Sequence, residues 1–201
     1  LNPTGDNHRY YELEINALNT IFDLFLPKPY RDGGPADHGW DVKGLRSAVQ
    51  VNGTLNDPSD TDRGWSVELA FPWAAFDRHG GGEPPRDGEQ WRMNFSRVQW
   101  DLEVVSGRYR KVVGRPEHNW VWSPQGVIDM HRPEQWGYVQ FSNRLPAEGG
   151  EKVVSDPSIP VRDALHRVYY AQLGFRSQYR RWAGSLRELG LDATPSSGHD
   201  A

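Results

Sequence analysis

"GWSVELAF", Gly64–Phe71, is the stretch that decides the fold class. Trp65, Val67, Leu69 and Phe71 alternate with Ser66, Glu68 and Ala70, the two-residue period of a strand with one face in a core. The rhythm recurs on both sides. "YYELEIN" sets Tyr11, Leu13 and Ile15 against Tyr10, Glu12 and Glu14, and "TIFDLFL" repeats it with Phe22, Leu24 and Leu26. "SAVQVNGTLN" reads as a strand and a turn, with Asn52-Gly53 as the turn signal. "WRMNFSRVQW" reads as one strand with Trp91, Met93, Phe95 and Arg97 on one face. "NWVWS" and "WGYVQF" read as a strand and its return, joined by the turn "SPQGVIDMHRPE". "PWAAF" predicts one helical turn, with Pro72 near its start. The loop 27–39 is long and structureless by pattern, a kind that is often functional. Short strands between Gly/Pro/Asp turns predict a mainly β fold, an antiparallel β-sandwich of jelly-roll type with immunoglobulin-like layers.

The composition shifts after Asn143. Residues 143–158 read as a linker by content. Residues 159–190 carry Val161, Leu165, Val168, Gln172, Phe175, Tyr179, Trp182, Leu186 and Leu189 at alternating steps of four and three, which predicts one bent helix or two. Such a stripe could bind a partner helix, and more often packs on its own domain. Residues 191–201 read as a disordered tail. The expected domains are therefore 1–142, the sandwich, and 159–190, the helical extension.

The chain has 201 residues, a formal net charge of -4, nine Trp, two Met and no Cys. Disulfides and thiol or Cys-metal chemistry are excluded. Without a basic cluster, nucleic acid is not an expected partner. Mean hydropathy is -0.77 and no apolar run approaches the roughly 18 residues of a membrane span. The chain opens "LNPTGDNHRYYELEIN" without an initiator Met, almost directly on a strand pattern. It reads as a fragment truncated at the N-terminus, and a lost signal peptide would be invisible.

Several groups of residues carry chemistry. Ser123, Asp129 and His131 lie close in sequence, without the Gly-x-Ser-x-Gly turn of a nucleophile. Glu12, Glu14, Glu68, Asp129 and Glu134 offer carboxylate pairs of the kind glycoside hydrolysis needs. Asp57, Asp60 and Asp62 in "NDPSDTDRG" could hold calcium or simply form Asx turns. His118 and His131 could ligate a metal, without a helical His pair in support. Arg97 shares strand parity with apolar residues, so its guanidinium needs an acid such as Glu68 or a wet cleft. In the functional reading its planar fork grips two hydroxyls or a carboxylate. Trp120 and Trp122 share one strand face. Indoles there could stack on sugar rings or lie in the core. His131, Arg132 and Glu134 follow as rim or turn residues.

"YYELEIN", "DRGWSVELAFPW", "WRMNFSRVQW" and "HNWVWSPQGVIDMHRPEQWGYVQF" follow one another in the order seen in the family 9 carbohydrate-binding module, which the chain resembles over roughly Leu1 to Ser142. The tail resembles the helical extension of many bacterial members. The resemblance implies an antiparallel sandwich that binds sugar without catalysis of its own, beside secreted glycan-degrading enzymes. A secreted or periplasmic protein, a sugar or polysaccharide ligand and a glycoside hydrolase partner are then expected. In the family a glucose-type unit, often at a chain end, is held between two Trp rings while Arg and carboxamide groups grip its hydroxyls. The matching positions are Trp122 for one ring and Arg97, Asn94 and Gln99 as polar partners; Trp120, on the same strand face, and His131, at the rim, join the candidate ligand site from the reading of the residues themselves. Trp40 in the long loop is the candidate second ring, unless that ring lies upstream of Leu1. Family members carry further strands upstream, so an open sheet edge is expected here. No cofactor is implied, although calcium binding occurs in the family through upstream residues. Two alternatives stand beside this reading. One is glycoside hydrolase activity. The other is a haem-binding redox domain of the wider superfamily, with Met93, Met130, His118 and His131 as potential axial ligands.

Overall fold

The computed structural model describes residues 1–79, 82–144 and 152–191, in two units, Leu1–Glu151 and Lys152–Ala201. The expected disordered tail, beyond Leu191, and residues 145–151 of the expected linker lie outside the described residues.

The first unit is built from two-stranded antiparallel sheets. β1 (Tyr10–Ile15) pairs with β2 (Ile21–Leu26), and β3 (Arg46–Asn52) with β4 (Gly64–Ala70). β5 (Gln90–Met93) pairs with β10 (Gly137–Gln140), β6 (Ser96–Gln99) with β9 (His118–Val121), and β7 (Leu102–Val105) with β8 (Arg108–Lys111). Leu1 and Asn2 tie the β1–β2 hairpin to this set. The backbone N–H of Tyr11 donates to the Leu1 carbonyl at 2.8 Å, and Asn2 bridges Arg92.

Alternation in β1 works as the sequence predicts, with an addition: both faces are buried at its start. Tyr11 joins Phe25, Trp40, Val42, Phe76, Trp91 and Met93 in the main core, while Tyr10 joins Leu24, Leu26 and Trp136 in a second cluster. Two aromatic residues at neighbouring positions can each fill a core only where layers lie on both sides of the strand. "PWAAF" forms a 3-10 turn, Trp73–His79, that sets Phe76 under Tyr11 and Trp91.

Three expectations need correction. Loop 27–39 is not structureless: it holds a 3-10 turn at Tyr30–Asp32 and a bridge between Phe25 and Asp37. Asn52-Gly53 is not a two-residue turn but the mouth of a longer loop, because Asn52 pairs with Gly64. "WRMNFSRVQW" is not one strand. It breaks at Asn94, so Trp91 and Met93 are core while Phe95 is 62% exposed. β4 keeps its parity but buries little: Leu69 and Phe71 are partly covered, and Trp65 and Val67 stand exposed.

The second unit is described by itself. α1 (Ile159–Tyr179) starts after Asp156, whose carboxylate accepts from the Ser158 N–H and from Arg162. Gly174 does not break it. It ends at Arg180 in the left-handed region (φ 57°). The Gln172 amide then clips the Ala183 backbone at 2.9 Å in both directions, and Arg176 lies over the Trp182 ring. Trp182, Leu186 and Leu189 thus follow the helix rather than extend it. Among the described residues no helix is long and apolar enough to cross a membrane.

Candidate functional site

The strand pairings run on from β5 to β8 as one ribbon. Residues 90–93 pair with 137–140 and residues 96–99 with 118–121, so the partner strand is interrupted by 122–136. The Trp122 N–H still donates to the Phe95 carbonyl at 2.8 Å, which carries the ladder across the break. Beyond it, the Val112 N–H donates to the Asp101 carbonyl and leads into β7–β8.

This register puts three cross-strand pairs on one face: Phe95 with Trp122, Arg97 with Trp120, and Gln99 with His118. Trp120 is 50% and Trp122 51% exposed. The Phe95 and Trp122 rings meet edge-on at 5.7 Å. The Arg97 guanidinium lies 5.3 Å from the Trp120 centroid and donates to Gln99 Oε1 at 2.5 Å. His118 sits 5.8 Å from Trp120, and its Nε2 is 2.9 Å from Asp101. That carboxylate also takes Arg115 at 3.1 Å, and both contacts hold it below the usual carboxylate range, the one to His118 most. The face offers open π-surface with one guanidinium and one carboxamide set into it. Such a surface can stack on a sugar ring and hold its hydroxyls.

Two features aim Trp122. Its ring packs on Gly137, where a Cβ would come within 2.8 Å of ring atom Cζ3. Asn94 fixes the backbone just beyond: its Nδ2 donates to the Ser123 carbonyl at 3.0 Å, and its Oδ1 accepts from the Ser123 and Phe95 N–H groups. Asn94 therefore positions the platform through its own backbone contacts.

The remaining candidates separate from this face. Trp40 is 5% exposed and packs 4.8 Å from Tyr11 in the core, so it is not a stacking ring. His131 belongs to a second group of residues, on β1. Its Nδ1 is 2.9 Å from the Tyr10 hydroxyl, its Nε2 is 3.8 Å from Glu12, and Tyr30 meets it edge-on at 4.5 Å. Burial lowers the His131 pKa, against the raising effect of Asp129 and Glu14. Burial, then Glu14 beside it, pushes Glu12 up to about 7. Glu14 lies two residues along the same face of β1, so its charge adds to that shift.

The serine constellation is not assembled either. Ser123 Oγ donates to the Gln135 carbonyl, and Asp129 accepts from the His131 backbone. The three loop acids are engaged in turns: Asp62 accepts from the Thr54 N–H, Asp60 from the Thr54 hydroxyl and Asp57 from the Ser59 N–H. Among the described residues no group of three His, Asp or Glu side chains is placed to hold a metal ion. Met93 lies in the core, and the Met130 carbonyl accepts from Trp136 Nε1. Glu134 forms a fork with Arg31 Nη2, both oxygens at 2.6 Å.

No protein family, curated protein or solved structure matches the chain. The assignment of function therefore rests on the ribbon itself. Sequence parity found Trp120 and Trp122, but it set Phe95 on one face with Trp91 and Met93, took His118 only as a potential metal or haem ligand, and did not single out Gly137. The signal for Phe95 was Asn94, whose short polar side chain can bond backbone groups in place of a strand partner.

Proposed function

We propose that residues 1–142 form a non-catalytic carbohydrate-binding module of the sandwich type, resembling family 9, that serves with extracellular glycan-degrading enzymes. The observation that carries this reading is the exposed face on which Phe95, Trp120 and Trp122 flank Arg97 and Gln99. Large indoles left in water are unfavourable unless something covers them in use, and flat apolar rings beside planar hydrogen-bonding groups suit a pyranose.

The test is retention on immobilised oligosaccharides and polysaccharides. Trp122→Ala should lose at least about fivefold in affinity, since stacking and area at such a ring are worth about 1–3 kcal/mol. Trp120→Ala should lose less, because its ring is shared with Arg97. Unchanged retention of Trp122→Ala sinks the assignment.

A further inference from the structure

Arg97 differs from the other charged groups around it. Asp101 is committed to Arg115 and His118, and Glu103 stands opposite Arg110 in the register. No carboxylate among the described residues reaches Arg97; its contacts are a neutral amide oxygen and an indole face. The ribbon from Asn94 to Ser123 carries five Lys or Arg against three Asp or Glu, in a chain whose formal net charge is -4. The ribbon is thus net positive, although not alone in this, since residues 159–190 carry six Arg against two acids. A guanidinium fork makes its strongest planar contact with a carboxylate, through two parallel N–H···O bonds.

We infer that the sugar taken by this face is a carboxylated one, a uronate unit whose carboxylate docks on Arg97 while its ring stacks on Trp122. This rests on the carbohydrate reading above and narrows it to acidic glycans. A single cation framed by aromatic rings, with Asp101 and Glu103 further along, suits one carboxylate per site. A phosphate backbone calls instead for a row of cations.

The experiment is affinity electrophoresis of the whole chain through polygalacturonate, alginate and glucuronoxylan, each beside its carboxyl-reduced form. Binding at least tenfold tighter to one acidic polymer than to its reduced form is expected. Arg97→Gln should bring that ratio below twofold, and Arg97→Lys, which keeps charge and loses the fork, should fall between. Both substitutions sit on an exposed side chain, and thermal melts check folding. Equal binding to acidic and reduced polymers, still lost in Trp122→Ala, overturns this inference and leaves the carbohydrate reading standing. Absence of binding to every polymer, or tighter binding to single-stranded DNA run as a control, overturns both.

Discussion

A methyl group at position 137 has nowhere to go. It would meet the Trp122 ring at 2.8 Å, and no torsion at position 137 relieves a Cβ contact. Gly137→Ala is therefore predicted to swing the indole off its seat. The unfolded chain loses freedom, worth about 0.4–1 kcal/mol, so the melting temperature should change little while ligand affinity falls several-fold. Acrylamide quenching of Trp fluorescence would report the displaced ring, and unchanged affinity with unchanged quenching would count against the platform geometry. At this scale the sequence was partly legible. Two-residue parity identified Trp120 and Trp122 because they lie on one uninterrupted strand end. It failed for Phe95 and Arg97 because periodicity assumes one continuous strand, and Asn94 ends β5 there. Trp40 was misread for another reason: a loop position says nothing about burial when the loop folds back over a core.

The element that most shapes the site is the interrupted partner strand. Its excursion, 123–136, leaves and rejoins the ribbon beside Asn94, and buried Arg92 donates to the carbonyls of Glu134 and Trp136 at 2.8 and 3.1 Å. Asn94→Ala strands the buried-side backbone groups of Ser123 and should cost about 1–3 kcal/mol in urea unfolding, with weaker sugar binding as Trp122 loosens. Arg92→Met deprives two carbonyls of their donor and should cost at least as much. If Asn94→Ala matched the parent in both stability and affinity, the clamp would be irrelevant. Strand existence was readable from alternation throughout β1 to β4, and the helix from its spacing of four and three. Strand partnership was not. "NWVWS" and "WGYVQF" read as a hairpin, yet β9 pairs with β6 and β10 with β5, because contacts distant in sequence leave no local periodicity.

For the molecule as a whole, two titrating groups on β1 and its neighbour oppose one another. The Glu12 carboxyl, raised from 4.5 to about 7, holds a proton when folded that the unfolded chain has released, so stability falls as pH rises across that window. The size is at most about 3 kcal/mol by linkage, and less with partial solvent screening. His131 acts in the other direction. Burial lowers its pKa below 6.5, so the unfolded chain takes up the proton first and stability falls as pH drops through that value. Glu12→Gln should therefore be more stable than the parent at pH 8 and gain nothing at pH 4, as read by urea midpoints. A constant difference across pH would show that Glu12 is not the group responsible. Neither group was distinguishable in sequence from the other acids and histidines, since burial alone sets them apart. The excursion also bears on handling the protein. Its ends are fixed by the ribbon, while Ile128 at its crest is 81% exposed and Gly126 already takes a positive φ. A fluorophore or peptide tag spliced between Val127 and Ile128 would leave the strand register intact. It would give the chain an internal handle close to the aromatic face, without recourse to either terminus.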